Sequence, residues 1–353
     1  MHISRRTFLV GAAATPFSAW LSKFGSRRPA QFVRYNIMST EGQKMCGIYK
    51  RAVDKMMTSP ENSPLSWVFQ WYTHAVRSDR SKSDELDRIF ASGGNRDLAD
   101  AMWSTCQSHR GGQDQRLFLP WHRMYVMYFE DLVREVSGNA DFALPYWHYS
   151  SVVLKSGPII PEPFLDPGDA TNALWRPDRN PGPNGGKPID ENDPDALNMD
   201  VLKQLFYERR APVDGFCRNL DFNLHGNVHT LTGNSKGMGQ VPWAANDPIF
   251  WMHHCNIDRL WASWNAAGRT NPTEQAFLDT EFTFADKNGK ELKAAVKDVL
   301  DMSTLNYTYD NLESVPAPPK PPKRADVILP TQTRVASEAG IVLGKDPVRV
   351  TLK

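Results

Sequence analysis

Apolar residues recur every three or four positions along much of the first half of the chain. Five segments show this spacing: Cys46–Met57, Ser63–Val76, Glu85–Phe90, Asp97–His109 and Leu119–Gly138. Such spacing places the apolar side chains on one face of a helix. The last segment has Pro120 at its head and Gly138 at its end, residues that favour a helix start and a helix C-cap. The pattern predicts a mainly α protein.

The second half of the chain is more mixed. Helical spacing returns in Asp195–Ala211, Asn223–Leu231 and Asp247–Gly268. Residues 155–194, just before them, contain nine prolines among many Gly, Asp and Asn residues, which favours a long irregular excursion. Strand spacing is confined to Thr280–Leu292, around an Asn-Gly turn, and to the last 14 residues.

The two ends of the chain depart from this pattern. Arg5 and Arg6 precede a short apolar run, which is typical of a twin-arginine export signal. The alternative is a chance Arg-Arg pair before an apolar segment. The signal interpretation predicts export of the folded protein to the periplasm or the medium. Near the other end, Val315–Pro330 is a proline-rich tether.

Charge and cysteine usage exclude several classes of function. The formal net charge is +1, so nothing indicates a nucleic-acid partner. The apolar runs are too short for a membrane-spanning helix, which needs about 18 or more residues. The four cysteines form no C-x-x-C pair, which argues against a zinc ribbon.

The placement of the histidines is the most informative feature of the sequence. His225 and His229 are four residues apart, so on a helix they share a face and can reach one metal ion. Six histidines lie next to apolar helical segments, three in each half: His74, His109, His122, His225, His229 and His254. Each alone is better explained as a hydrogen-bonded core residue in a helical binding protein. Together, with few carboxylates nearby, they favour copper, zinc or nickel.

Two longer motifs carry a family resemblance. "FLPWHRMYVMYFE" (Phe118–Glu130) and "DPIFWMHHCNIDRLW" (Asp247–Trp261) resemble the two copper-site motifs of the tyrosinase / catechol oxidase (polyphenol oxidase) family of type 3 dicopper proteins. "LHGNVH" lies between them, and Tyr307–Tyr309 resembles the tyrosine motif of plant-type members. The resemblance implies a central four-helix bundle that holds the dicopper site, with long irregular loops and few short strands.

The resemblance also implies a ligand set of two copper ions. Copper A takes His74, His109 and His122, and copper B takes His225, His229 and His254. His253, beside His254, is then a structural neighbour, and Asp258 is a candidate to orient a ligand imidazole. His109 precedes His122 by four residues more than the usual family spacing. His148 stands where the family usually has Asp, and Cys106 is close enough to His109 for a thioether to be considered.

The implied activity is oxidation of o-diphenols to o-quinones by O2. Gly226 follows the first copper-B histidine, where an Asn is associated with monophenol hydroxylation, so weak or no hydroxylation is expected. Asp221 is the candidate acidic residue, and Val241 falls at the position of the family's gate residue. The alternatives are an o-aminophenol oxidase, a full tyrosinase with monophenolase activity, and a haemocyanin-like O2 carrier.

These expectations divide the chain into three parts. Residues 1–30 are the export signal and the start of the mature chain, residues 31–312 the dicopper catalytic domain, and residues 313–353 a linker and short tail. The tail is too short for the shielding domain that many family members carry. The expected partners are a small phenolic substrate, O2 and a copper chaperone. The sequence leaves the oligomeric state open.

Overall fold

A computed structural model describes residues 32–108, 114–149, 157–165 and 171–316. All of these belong to one compact unit, Met1–Ala317. The described helices are α1 (Thr40–Thr58), α2 (Trp67–His74), α3 (Lys82–Ile89), α4 (Arg96–Met102), α5 (Phe118–Ser137), α6 (Pro181–Asn184), α7 (Phe216–Leu220), α8 (Gly226–Thr232), α9 (Val241–Ala244), α10 (Ile249–Ala266) and α11 (Gln275–Leu278). Helix dominates this part of the chain, as predicted.

Helices α5 and α10 pack against each other at the centre of the fold, and α1 covers α5. Phe129 of α5 stacks on Trp251 of α10, with ring planes 13° apart. Gly138 ends α5 in the left-handed conformation, with φ 67°, which a glycine adopts without a Cβ clash. The carboxylate of Asp247 accepts the free backbone N–H of Ile249 at the start of α10. The predicted ends of both helices lie within two residues of the observed ends.

The strands are few and short. β2 (Glu281–Ala285) and β3 (Glu291–Ala295) form the predicted antiparallel hairpin. β1 (Phe32–Arg34) pairs in parallel with β4 (Tyr307–Tyr309), a pairing that was not predicted. The strand predicted over the last residues lies outside the described part of the chain.

A buried ion-pair network joins the small parallel sheet to the central helices. Asp258 of α10 accepts hydrogen bonds from Arg34, Arg123, Tyr307 and Tyr309, with the two tyrosine hydroxyls each at 2.6 Å. Burial alone would raise the pKa of Asp258, but the two guanidinium groups and the hydrogen bonds from the two tyrosines together hold this pKa below its usual value. Asp258 contacts none of the described imidazoles, so the sequence-based role of orienting a ligand was wrong.

The helix predicted over Asp195–Ala211 was also wrong. Only Asp200–Lys203 forms a helical turn there, of the 3₁₀ type. The backbone becomes extended at Gln204, whose carbonyl accepts the indole N–H of Trp264 at 2.7 Å. Phe206 is then left 41% exposed. A tertiary hydrogen bond has replaced the i→i+4 bond that the apolar spacing led us to expect.

The proline-rich excursion is irregular where the structure describes it. It contains the short helix α6 and one 3₁₀ turn at Glu162–Phe164. Arg179 anchors it through two parallel 2.8 Å hydrogen bonds to the carboxylate of Asp247, and both side chains are buried. The excursion is thereby tied to the start of α10.

Candidate metal centre

The first group of site residues comes from α2 and α5. His74 is the last residue of α2, and His122 lies in the first turns of α5. Their rings are 5.8 Å apart between centroids, and both side chains are buried. The third histidine predicted for this group, His109, lies outside the described residues.

The second group is built on a helical segment and on α10. His225 ends a π-helical turn, Asp221–His225, that leads directly into α8, where His229 follows. Short π-helical turns occur often at functional sites. His253 and His254 of α10 complete the group, and ligand atoms of all four imidazoles lie within 4.8 Å of one another.

The two groups adjoin. His122 and His254 lie 4.4 Å apart between ring centroids, and His122 and His225 lie 6.2 Å apart. Four helical segments therefore place their histidines at one site. This agrees with the four-helix bundle that the family resemblance implies.

Backbone carbonyls fix the orientation of four imidazoles. The Nδ1 atoms bond to carbonyl oxygens as follows: His74 to Val241 at 3.0 Å, His122 to Phe118 at 2.7 Å, His225 to Asp221 at 2.9 Å and His229 to Met238 at 2.8 Å. Because a carbonyl only accepts, each Nδ1 carries the proton, and each Nε2 presents a lone pair. This arrangement is typical of metal-binding histidines.

The remaining two histidines differ in their partners. The Nδ1 of His253 lies 3.1 Å from the hydroxyl of Tyr149. Neither ring nitrogen of His254 has a hydrogen-bond partner among the described residues, although its side chain is 1% exposed. A buried imidazole without partners is costly, and a metal ion at this position would remove that cost.

Burial also sets the protonation of the site. It lowers the pKa of His225 to about 3, and it lowers the pKa values of His122, His229 and His254 well below their usual range. These imidazoles are therefore neutral at pH 7, the form that binds metals. An imidazole-dominated donor set fits copper, and it fits calcium or magnesium poorly.

A cavity of about 260 Å³ opens onto both groups. Val241 lines it and is tied to the site, because its carbonyl holds His74. Phe222 lines it too and is 48% exposed, so the cavity reaches the protein surface.

Asp221 and Gly226 lie on opposite sides of His225 in sequence and line the same cavity. One carboxylate oxygen of Asp221 is 3.0 Å from Nδ1 of His225. A Cβ on Gly226 would lie 3.2 Å from the Asp221 carbonyl oxygen. The next residue, Asn227, donates to the carbonyl of Ala196 and does not replace the missing amide.

Two features of the site region were absent from the sequence predictions. Tyr149 reaches His253, and the carbonyl of Met238 holds His229. Neither stands at a spacing that would indicate its role. The indole of Trp121 packs 4.8 Å from the ring of His122, the next residue in the sequence. His148 is buried, with Nε2 3.2 Å from a carboxylate oxygen of Glu313.

Fold and site together define a mainly helical protein with a buried, imidazole-lined candidate metal site. The family model for the common central domain of tyrosinase matches residues 64–185 and 166–267, which together span more than half of the chain. The polyphenol oxidase middle domain matches residues 271–321. The chain belongs to the tyrosinase family, the family of type 3 dicopper proteins.

Individual relatives agree with this assignment. The chain is 33% identical over 291 residues to tyrosinase HcTyr1 of Hahella sp. (strain CCB-MM4), covering 74% of this chain and 59% of that protein. A crystal structure of Grenache (Vitis vinifera) polyphenol oxidase has a TM-score of 0.59 and 25% identity, covering 81% of this chain and 86% of that one. A functional unit of octopus hemocyanin shares the fold at a TM-score of 0.50 and 20% identity, covering 80% and 69%. The chain spans about half to three-fifths of the length of the curated relatives it matches first.

Proposed function

We propose that this protein is a type 3 copper oxidase that uses O2 to oxidise o-diphenols to o-quinones. The observation that carries the proposal is the junction of the two histidine groups into one buried site. A bound copper pair would supply two one-electron redox centres that together reduce O2. His74 and His122, with His109 as predicted from the sequence, would hold copper A, and His225, His229 and His254 would hold copper B.

The cavity supports a small planar substrate. Its volume, about 260 Å³, is close to the lower end of ligand pockets in proteins. Phe222 offers an aromatic surface at the mouth, against which a phenol ring can stack. Val241 also lines the cavity, and its small side chain leaves more room for a substituted ring than a large one would.

Proton handling in the cavity favours diphenol oxidation over monophenol hydroxylation. Asp221 is a carboxylate at the cavity wall, and it supplies a proton acceptor for a phenolic hydroxyl. Gly226 contributes no side-chain amide to hold a water molecule beside that carboxylate. A diphenol is the stronger acid and loses its proton more readily than a monophenol. The absence of the amide therefore slows the reaction of the monophenol more than that of the diphenol.

Two other functions fit the same copper centre. An o-aminophenol fills the cavity as well as a catechol does, so an aminophenol oxidase differs only in substrate preference. A reversible O2 carrier is the candidate from another class, because the hemocyanin unit shares the fold. The surface-accessible cavity lined by Phe222 favours an enzyme, since a substrate must reach the metal ions.

The test is oxygen uptake by the copper-loaded full-length protein with catechol, L-DOPA, tyrosine and 2-aminophenol. We expect rapid uptake with the two diphenols and little with tyrosine. The metal-free protein, assayed in parallel, controls for uncatalysed oxidation. Reversible O2 binding without catechol turnover would establish a carrier, and a preference for 2-aminophenol would establish the aminophenol oxidase.

We further infer that the protein is exported through the twin-arginine route, on the basis of Arg5 and Arg6. Replacing both with lysine should retain the protein in the cytoplasm, as measured by cell fractionation. Unchanged distribution between the fractions would contradict the inference.

A further inference from the structure

We propose that a second cavity, at the C-terminal end of α10, binds a small organic carboxylate with the guanidinium of Arg269 as its counterion. This cavity has a volume of about 680 Å³, which lies within the usual range of ligand pockets. None of the described residues that line it also lines the cavity at the histidine groups. The proposal is therefore independent of the copper centre.

Arg269 is a buried cation without an anion. The residue is 7% exposed, and its Nε and Nη1 atoms have no hydrogen-bond partner among the described residues. Within the same part of the chain, the guanidinium bonds only to the backbone carbonyl of Pro316, through Nη2 at 2.8 Å. Burial lowers the pKa of Arg269, and no described carboxylate offsets that effect. Because a charged side chain is almost never buried unpaired, this position calls for an anion.

The turn after α10 fixes Arg269 at the cavity wall. Gly268 turns the chain with φ 83°, a conformation that suits glycine. The amide nitrogen of Asn265 donates to the backbone carbonyl of Arg269 at 3.2 Å and to Oδ1 of Asn271 at 3.1 Å. Both partners only accept, so these bonds identify Nδ2 of Asn265, and its buried Oδ1 is left without a donor. The cavity thus offers an unpaired acceptor as well as unpaired donors.

The remaining walls select the chemistry of the ligand. Leu278, Leu300 and Leu312 line the cavity and suit a hydrocarbon body. Asp301 lines it too, with its carboxylate accepting the backbone N–H of Ser303 at 2.8 Å. The negative charge of Asp301 opposes a multiply charged anion such as phosphate more than it opposes a monocarboxylate. A carboxylate with an aliphatic body and an N–H group, as in an N-acylated aliphatic amino acid, matches this set of groups.

The Arg269 side chain must move to meet the ligand. Its Nε and Nη1 atoms are out of contact with solvent, so binding requires the side chain to rotate toward the cavity that it lines. This rotation breaks the hydrogen bond to Pro316 and needs no change in the backbone. The carboxylate would replace that bond and supply Nε and Nη1 with acceptors. Binding would thereby remove the cost of an unpaired buried charge.

The test is isothermal titration calorimetry of the metal-free full-length protein with N-acetyl-L-leucine, together with the thermal unfolding midpoint. We expect a heat of binding and a raised midpoint, because a ligand that binds only the folded protein stabilises it. N-acetyl-L-leucinamide has nearly the same shape but no charge. It should bind more weakly by roughly tenfold or more, since it lacks the charge-assisted hydrogen bonds.

Two variants test the site independently of each other. Arg269→Gln removes the charge and should weaken binding by roughly tenfold or more. Ala266→Phe places a ring in the cavity and leaves Arg269 in place, so it decides the outcome if Arg269→Gln does not fold. Ala267→Phe is the matched control. Ala267 is the next residue but is not among those that line the cavity, so this variant should bind like the wild type.

Several results would overturn the proposal. Equal affinity for N-acetyl-L-leucine and its amide would show that the charge of Arg269 plays no part. Binding that survives both Arg269→Gln and Ala266→Phe would place the ligand elsewhere on the protein. Absence of both the heat and the midpoint shift would leave Arg269 with the Pro316 carbonyl as its only partner. None of these results bears on the proposed oxidase function, which is tested by oxygen uptake of the copper-loaded protein.

Discussion

His122 and His254 stack face to face, with ring centroids 4.4 Å apart and ring planes 12° from parallel. They come from α5 and α10, the two central helices, and each belongs to a different histidine group. This contact joins the two groups, so a displacement of either helix would change both at once. The rigidity of the α5–α10 pair therefore matters more to the site than that of the surrounding loops.

Exchanging the two neighbouring histidines of α10 for alanine should have unequal effects. His254→Ala should reduce the bound copper from two ions to one, because both ring nitrogens of His254 lack other partners. His253→Ala should keep two, because the ligand set proposed for copper B consists of His225, His229 and His254 and does not include His253. Elemental analysis of the folded variants measures this. Equal copper loss in the two variants would contradict the ligand assignment.

Gly226→Asn should increase monophenol hydroxylation relative to diphenol oxidation, by roughly tenfold in the ratio of rates. The added amide would lie beside Asp221 at the cavity wall, where it can hold a water molecule that takes the phenolic proton. Rates with tyrosine and L-DOPA give the ratio. Gly226→Ala is the matched control, since it adds a Cβ without an amide and should leave the ratio unchanged.

Asp258→Ala should destabilise the fold strongly. The change leaves the guanidinium groups of Arg34 and Arg123 buried near each other without the carboxylate they share. Removing one partner of a buried ion pair typically costs about 3–5 kcal/mol. Urea denaturation of the metal-free protein measures the cost. Tyr307→Phe removes one hydrogen bond to the same carboxylate and should cost only about 1 kcal/mol. A similar loss of stability in both variants would show that the charge of Asp258 contributes little to the stability of the fold.

The metal-free protein should lose stability as the pH falls below about 6.5. Folding lowers the pKa of His225 from 6.5 to about 3, so between these values the unfolded chain binds one more proton than the folded chain. The free energy of unfolding then falls by about 1.4 kcal/mol per pH unit from this residue alone. The pKa values of His122, His229, His253 and His254 are lowered in the same direction.

Urea midpoints at several pH values between 4 and 8 test this dependence. In His225→Gln, which cannot titrate, the slope between pH 6 and pH 4 should be smaller by about 1.4 kcal/mol per pH unit. An unchanged slope would mean that His225 is protonated, or solvated, in the folded protein.

Local pattern was sufficient to predict several elements. Helices α5 and α10 have long apolar periods and clear end signals, and the β2–β3 hairpin has its Asn-Gly turn. The grouping of the histidines followed from the family motifs, which encode tertiary structure that the local pattern does not.

Predictions failed where distant residues decide the local structure. The backbone at Gln204 bonds to Trp264, 60 residues away, and no pattern within a helical window contains that information. The partners of Asp258 include Arg34, 224 residues away. The Val241 carbonyl that accepts from His74 is likewise 167 residues away, and a backbone carbonyl has no sequence signature.

The pairing of β1 with β4 brings together segments that the chain makes first and last within its described part. Arg34 from one and Tyr309 from the other meet on the carboxylate of Asp258 in the middle of α10. During synthesis, the helix that carries His254 therefore cannot acquire its full set of buried contacts until Tyr309 has emerged from the ribosome. Copper loading of this centre would consequently follow the synthesis of β4, since an earlier metal ion would meet a helix that still lacks these contacts.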